Sequence, residues 1–198
     1  MSSQKIYRPI AKVMPIAEKI AEALRPHCER IEIAGSLRRK KTEIGDIEIV
    51  AIPKFKPPTF GDPRAGWSEV DKWLDEQDHQ ALSIVKGLKG RGSKRKYVQF
   101  NYYTSNQSLY TVDLFLQPDP ATWGVNFMIR TGSSDFSRMM VTDLSKGGYK
   151  PEEFFFQDGR LWRKYIDTDR AIECLPTPEE IDVFNTLELD WVEPELRV

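Results

Sequence analysis

Apolar residues recur at helical spacing near the amino end of the chain and at alternating spacing further along. The stripe from Ile10 to Leu24 has charged residues on its opposite side, which predicts an amphipathic helix that Pro26 stops. Alternating positions predict two strands within Ile31 to Ile52, and an antiparallel pair at Lys96 to Tyr103 and Leu109 to Leu116. The pattern therefore predicts a helix that covers one face of a sheet.

Weaker signals predict the remaining elements. Trp67 to Asp78 fits a short helix, and Ala81 to Leu88 is expected either to continue it or to turn. Ser134 to Lys146 fits a helix that ends at a glycine cap. Phe154 to Ile166 predicts a hairpin that turns at Asp158-Gly159.

Composition is typical of a folded intracellular protein. With 198 residues, 40% hydrophobic and 30% charged, the chain can bury one good core or two small ones. No apolar run approaches the roughly 20 residues that span a bilayer, and the first residues lack a signal-peptide core. We expect no membrane segment and an intracellular location, cytoplasmic in a bacterial or viral host, with a nuclear location left open. Cys28 and Cys174 are too few for a disulfide framework or a zinc site and are expected to be reduced structural thiols.

The net charge of -1 conceals a separation of charge along the chain. Residues 79–112 contain no acidic residue. Their basic residues are Lys86, Lys89, Arg91, Lys94, Arg95 and Lys96. Between Asp167 and Glu195, by contrast, there are ten carboxylates and one arginine. A charge run is often only a solvated face; the alternative is that this basic cluster follows a polyanion such as nucleic acid.

Candidate chemistry lies where the second predicted strand begins. Asp46 and Glu48 are two residues apart, so their side chains share one face of the strand while Ile47 and Ile49 point inward. Adjacent carboxylates repel each other unless a cation lies between them, and carboxylate oxygens are the ligands that Mg2+ takes. The pair therefore predicts a divalent metal site.

The segment before that strand offers donors for phosphate oxygens. Gly35 and Ser36 form a predicted tight turn with free N–H groups and a hydroxyl, and Arg38 and Arg39 add guanidinium groups. Asp113, on the strand that ends at Leu116, is expected to face away from the core. Taken alone, an aspartate on a strand is most often a surface residue.

Several stretches together form one signature. They are Gly35-Ser36-Leu37-Arg38-Arg39 with Gly45-Asp46-Ile47-Glu48, then Val112-Asp113-Leu114-Phe115, then Thr131-Gly132-Ser133 with Phe136, and the ending from Thr177 to Arg197. The combination resembles the family X DNA polymerases, the DNA polymerase beta group of the nucleotidyltransferase superfamily. The resemblance implies an α+β fold in which residues 1–118 form a nucleotidyltransferase palm with a mixed sheet and flanking helices. Residues 119–198 would form a small α+β thumb, without the lyase and helix-hairpin-helix fingers domains that family members commonly carry.

The resemblance also implies a reaction, which is DNA-directed addition of nucleotides to a primer 3'-hydroxyl in DNA repair or gap filling. The catalytic and metal-binding carboxylates would be Asp46, Glu48 and Asp113. They would hold two Mg2+ ions, for which Mn2+ can substitute, and Asp113 would accept the proton of the primer hydroxyl. The nucleotide's phosphates would be bound by Gly35, Ser36, Arg39 and Gly45.

The thumb turn would contact the nucleotide's sugar and base through Arg130, Thr131, Gly132, Ser133 and Ser137. This chain departs from the family at Ile129-Arg130, which replace an aromatic pair, at Ser137 in place of Asn, and at Glu48 in place of the more usual Asp. DNA would be bound by Lys89, Arg91, Lys94, Arg95 and Lys96. The expected partners are a DNA primer-template and a nucleoside triphosphate, and we expect a monomer.

Two other functions share part of this signature. A template-independent, terminal transferase-like or small-molecule nucleotidyltransferase would carry the same carboxylates and phosphate-binding turn. It would have no reason to carry the basic cluster or Thr131-Gly132-Ser133. An inactive binding module would have no need of the three intact carboxylates.

Overall fold

The computed structural model describes residues 5–57, 64, 66–77, 82–87, 95–165 and 172–198. The chain folds into two compact units, one ending at Pro118 and the other beginning at Asp119. In the part of the chain that the structure describes, no helix is both long and apolar enough to cross a membrane.

In the described part of the amino-terminal unit, a five-stranded sheet combines with helices. A short ladder joins β1 (Arg8–Pro9) to β3 (Glu43–Ile44). The strands of the large sheet are β2 (Cys28–Ile33), β4 (Ile47–Pro53), β5 (Leu82–Lys86), β6 (Tyr97–Tyr103) and β7 (Leu109–Leu116). The helices are α1 (Ile10–Leu24), α2 (Gly35–Arg38) and α3 (Glu69–Gln77).

The large sheet is mixed, with the strand order β2-β4-β7-β6-β5. The pairing between β4 and β7 is parallel, whereas every other neighbouring pair in this sheet is antiparallel. Parallel neighbours need a long connection, and here that connection carries α3, β5 and β6. As a result β4 and β7 lie side by side although they are far apart in sequence.

The core of this unit forms where α1 covers the sheet. One apolar cluster contains buried residues of the helix, such as Ala17 and Leu24, together with Ile47, Ile49 and Leu114 of the central strands. The predicted bounds of α1 are confirmed, as is the antiparallel pair β6 and β7. The cysteine thiol in this core is unreactive, since burial raises the pKa of Cys28 to about 12.

The carboxyl-terminal unit contains a second, smaller sheet. Its helices are α4 (Trp123–Thr131), α5 (Ser134–Val141) and α6 (Glu180–Thr186). Its antiparallel strands, in the order β10-β9-β8, are β8 (Phe154–Gln157), β9 (Arg160–Lys164) and β10 (Ile172–Leu175). The predicted hairpin is confirmed, and its turn residues Asp158 and Gly159 have positive φ angles of 52° and 75°, as a two-residue hairpin loop requires.

A buried arginine ties the end of the chain to this unit. Arg197 is completely buried and its guanidinium pairs with Glu180 at the start of α6. Three aromatic rings surround the guanidinium, with centroids 5.2, 5.2 and 4.8 Å from it, those of Phe136, Phe184 and Trp191. Ring faces attract a desolvated cation, and the carboxylate compensates its charge. Because Phe136 belongs to α5, the arginine holds α5 and α6 together.

Several predicted elements differ from the structure. The segment from Ala81 to Leu88 contains β5, because the hydrogen bonds that β6 offers select an extended conformation for a short apolar run. The helix predicted to reach Lys146 ends at Val141, since the backbone of Thr142 is extended. The predicted turn at Gly35-Ser36 is the short helix α2, and α4 was not predicted.

A buried ion pair corrects one predicted DNA contact. The side chain of Arg95 is 1% exposed, and its Nε forms an ion pair at 3.0 Å with Oδ1 of Asp71, whose side chain is 0% exposed. The other oxygen of Asp71 accepts hydrogen bonds from the backbone N–H and the hydroxyl of Ser68, at 3.2 and 2.9 Å. A guanidinium buried in this way cannot reach a phosphate, so the assignment of Arg95 to DNA binding is wrong. Lys96 is exposed and stays a predicted contact, while Lys89, Arg91 and Lys94 lie outside the described residues.

Replacing Arg95 tests this structural role. We expect Arg95→Ala to lower the free energy of unfolding by about 3–5 kcal/mol, because it leaves the carboxylate of Asp71 buried without its counter-charge. Lys96→Ala, the neighbouring exposed cation, should change it by less than about 0.5 kcal/mol. Urea denaturation measures both variants. Equal stabilities would show that Arg95 does not have this role.

Candidate active site

Two of the predicted carboxylates meet at the centre of the large sheet. In the parallel pairing of β4 with β7, Glu48 and Asp113 lie directly opposite each other. Neighbouring strands lie roughly 4.8 Å apart. Both side chains are half-buried, whereas Ile47, Ile49 and Leu114 on the opposite face are completely buried. The register therefore brings together two acidic side chains that are 65 positions apart in the sequence.

The carboxylate of Asp113 is held from its other side by β6. Its Oδ1 accepts hydrogen bonds from the hydroxyl of Tyr97 at 2.6 Å and from Nε2 of Gln99 at 2.8 Å. Gln99 lies directly opposite Asp113 in the ladder, and Tyr97 is its diagonal neighbour. Side chains in these two positions of an antiparallel pair are within reach of each other.

The carboxylate of Glu48 packs against the backbone of Gly35. A Cβ placed on Gly35 would overlap Oε2 of Glu48, and Gly35 also has a φ of +59°, in the left-handed region. The backbone N–H of Ala34 donates to the Glu48 carbonyl at 2.8 Å, which fixes the approach of the two segments. The positive φ favours glycine at position 35, and a Cβ there would also force the carboxylate of Glu48 to move, so the start of α2 lies directly on the acidic side chain.

Asp46 has a lysine as its partner. Nζ of Lys5 lies 2.7 Å from Oδ2 of Asp46, and the two side chains are 48% and 24% exposed. Partial burial alone would lower the pKa of Lys5, but the hydrogen bond and negative charge of Asp46, with smaller contributions from Tyr7 and Glu48, raise it above its ordinary value. The ammonium therefore provides a positive charge beside the acidic residues.

A cavity of about 360 Å³ brings predicted phosphate-binding residues together with predicted metal-binding carboxylates. It is lined by Lys5, Tyr7, Ser36, Arg39, Lys41, Glu43, Gly45, Asp46 and Glu48. The predicted phosphate donors Ser36 and Arg39 thus share one cavity with two of the predicted carboxylates. Its combination of guanidinium, ammonium, hydroxyl and carboxylate groups suits a phosphorylated ligand that carries a divalent cation.

A second cavity, of about 410 Å³, shares Lys5, Gly45 and Asp46 with the first. Its other polar lining comes mainly from the large sheet, through Lys86, Gln99, Asn101 and Thr111, with Arg8 of β1. The two cavities therefore adjoin at the ion pair of Lys5 and Asp46.

The chemistry of these carboxylates fits a divalent ion, but their present placement does not form a finished site. Carboxylate oxygens suit Mg2+ and Mn2+. Among the described residues, however, no three acidic, histidine or cysteine side chains are grouped as ligands of one metal ion. Asp46 turns to Lys5, and Asp113 to Tyr97 and Gln99. The two-metal site accordingly stays a prediction.

In the carboxyl-terminal unit, the hydroxyls of the predicted nucleotide-binding turn serve structural roles. The Ser133 side chain accepts from the backbone N–H of Phe136 at 3.0 Å and caps the start of α5. The Ser137 hydroxyl donates to the carbonyl of Ile129 at 2.9 Å and joins α5 to α4. A Cβ on Gly132 would come within 2.6 Å of the Phe136 ring and 2.9 Å of the Ser137 hydroxyl, so a larger residue there would displace these side chains.

The neighbouring positions are divided between core and surface. Thr131 is 0% exposed, so its side chain is buried in this unit, and a contact of this residue with a nucleotide stays a prediction. Arg130 is half-buried in the last turn of α4, and its role toward a sugar stays a prediction.

Sequence reasoning missed three residues of the site: Lys5, Tyr97 and Gln99. No spacing links Lys5 to Asp46, because the contact depends on the ladder between β1 and β3. Alternation could have placed Tyr97 and Gln99 on one face of β6, but only the register of β6 on β7 shows that this face meets Asp113.

Comparison with known proteins bears on the carboxyl-terminal unit. Residues 127–198 match the family model for the DNA polymerase beta thumb. The match indicates a DNA polymerase-like protein. No curated protein matches the chain. The resemblance to family X polymerases is thus supported for the thumb region, which includes α5, the small sheet and the aromatic cage around Arg197.

The close contact between Gly35 and Glu48 can be tested with one methyl group. We expect Gly35→Ala to lower the free energy of unfolding by about 3 kcal/mol or more, since it adds overpacking against the carboxylate to the cost of a left-handed alanine.

Gly66→Ala is the matched control. Gly66 also has a positive φ, +82°, but a Cβ there meets nothing within 4 Å, so we expect a loss of only about 1–2 kcal/mol. Urea denaturation measures the difference. Losses of equal size would contradict the close approach of Glu48 to position 35.

Proposed function

We propose that this chain is a DNA polymerase of the family X type, which adds nucleotides to a primer 3'-hydroxyl under the direction of a template. The observation that carries the proposal is the match of residues 127–198 to the polymerase beta thumb. The amino-terminal unit supports it with the acidic pair at the centre of its sheet and the cavity that joins acidic and phosphate-binding groups.

In this proposal different residues of the amino-terminal unit bind the nucleotide and accept the proton. Ser36 and Arg39, with the backbone of Gly35 and Gly45, bind the phosphates of the incoming nucleotide. Asp113 accepts the proton of the primer 3'-hydroxyl as its oxygen bonds to the α-phosphorus. The bond between the α-phosphorus and the bridging oxygen breaks, and pyrophosphate leaves with that electron pair.

Divalent ions, Mg2+ or Mn2+, would be held by Asp46, Glu48 and Asp113, and when bound they lower the pKa of the attacking hydroxyl and neutralise charge on the leaving oxygens. The carboxylates would supply the negative charge that binds these ions and would hold them in position. Glu48 is one methylene longer than aspartate, and its carboxylate packs against Gly35. A role in DNA repair or gap filling is part of the same proposal.

Primer extension tests the proposal. The purified chain should extend a labelled primer on a gapped template in Mg2+ or Mn2+, and the added nucleotide should be complementary to the template. Asp113→Asn should reduce the rate by about 100-fold or more, since it removes the proton acceptor and preserves the shape of the side chain.

The controls separate the alternatives. Extension of the primer without a template would identify a terminal transferase-like enzyme. Transfer to a small acceptor alone would identify a small-molecule nucleotidyltransferase, and DNA binding without any transfer would identify a binding module. Full activity of Asp113→Asn would reject the role of that residue.

The ion pair between Lys5 and Asp46 leads to a prediction of how the reaction rate depends on the Mg2+ concentration. Because the ammonium competes with a cation for the carboxylate, Lys5→Met should lower the Mg2+ concentration that gives half-maximal rate by about two- to fivefold, the range expected for a partly exposed pair. Lys12→Met, on the exposed side of α1, is the control and should change nothing. An unchanged or increased requirement for Mg2+ would contradict competition by Lys5.

A further inference from the structure

Asp113 lies between a like charge and two hydrogen-bond donors. On one side it lies opposite Glu48 of β4, and on the other it lies opposite Gln99 of β6. A carboxylate beside a second carboxylate is pushed away from it unless other groups hold it in place. The strand on the far side from Glu48 supplies such groups, through Tyr97 and Gln99.

The two donors approach a single oxygen of Asp113. Both hydrogen bonds that the described residues donate to this carboxylate end on Oδ1, at 2.6 and 2.8 Å. Holding one oxygen from two directions fixes the orientation of the carboxyl plane. No described residue donates a hydrogen bond to Oδ2.

The ring of Tyr97 is itself fixed. It packs on Phe115, its cross-strand neighbour on β7, with ring centroids 5.2 Å apart and planes tilted by 31°. Phe115 is 9% exposed, so the ring of Tyr97 rests on a buried side chain. The packing on Phe115 therefore fixes the position of the Tyr97 hydroxyl beside Asp113.

Core packing of β6 does not depend on these two donors. The strand is anchored by Val98 and Phe100, both 0% exposed, which alternate with Tyr97 and Gln99 and belong to the apolar core. Tyr97 and Gln99 are half-buried and share the face of the candidate site. Their polar groups donate to the acidic residue.

We propose that Tyr97 and Gln99 are positioning residues for Asp113: they hold Oδ1 so that Oδ2 is presented to the reacting hydroxyl. This inference rests on the proposed polymerase function. It assigns to β6 a part in the reaction that no motif in the sequence marks. Neither side chain touches the nucleotide in this assignment; each acts through Asp113.

The experiment compares Tyr97→Phe with Tyr103→Phe in single-nucleotide primer extension. Tyr97→Phe retains the ring and its packing on Phe115 but removes the donor. We expect kcat to fall about tenfold while KM for the nucleotide stays within about twofold, since one charge-assisted hydrogen bond is lost and the phosphate-binding groups are unchanged. Tyr103→Phe makes the same chemical change on an exposed residue of the same strand and should leave kcat unchanged.

A double-mutant cycle distinguishes positioning from a general loss of structure. In an Asp113→Asn background, Tyr97→Phe should have no further effect on the rate, because the proton-accepting carboxylate that the hydrogen bond orients is already absent. Gln99→Met should reduce kcat of the parent protein to a similar extent. The midpoint of thermal unfolding of each variant should match that of the parent protein. For a variant with a lower midpoint, only the rate difference within the double-mutant cycle is interpreted.

Binding of Mn2+, followed by electron paramagnetic resonance without turnover, gives a second readout. The parent protein with a non-hydrolysable nucleotide should bind Mn2+, and Tyr97→Phe should bind it more weakly by about threefold or more. If the parent protein is active and binds Mn2+ but Tyr97→Phe matches it in kcat and in Mn2+ affinity, the positioning role is rejected while the polymerase proposal stands. If the parent protein neither binds Mn2+ nor extends primers, both proposals are rejected.

Discussion

The parallel pairing of β4 with β7 is the constraint on which the amino-terminal unit depends. It buries one face of both strands and, through the same register, places Glu48 beside Asp113 on the other. Two carboxylates on neighbouring strands repel each other unless a cation or hydrogen-bond donors compensate their charge. Side chains of β6 donate two hydrogen bonds to Asp113 and hold its carboxylate in place. Glu48 packs closely on Gly35. The apolar face of the same strands is buried in the core, which holds them in this register.

The carboxyl-terminal unit shows a different use of polar residues. Ser133 caps a helix, Ser137 joins two helices, and Thr131 lies in the core. The buried Arg197 then fastens α5 to α6 through the rings around it. A motif that implies ligand contact can therefore owe much of its composition to the geometry of the turn itself. These residues lie within the range that matches the polymerase beta thumb, 127–198.

Sequence reasoning succeeded where a local pattern carries the information. The apolar stripe of α1 and the alternation in β6 and β7 follow from burial of one face, and the Asp158-Gly159 turn follows from the need for positive φ. It failed for β5, a short apolar run whose conformation depends on the partner it meets. It also failed for Arg95, because a basic residue in a basic cluster looks the same in sequence whether it is solvated or paired with Asp71.

By itself the sequence determined which groups are available: the acidic residues, the phosphate donors and a glycine at position 35, since residue type and spacing along one chain segment are local properties. Only the tertiary structure decided which of them meet. The register between β4 and β7, and between β7 and β6, depends on hydrogen bonds between segments distant in sequence, and it is this register that sets Asp113 between Glu48 and Gln99. The ladder of β1 with β3 likewise brings Lys5 to Asp46. A period of two residues specifies the face of a strand, but not the strand beside it.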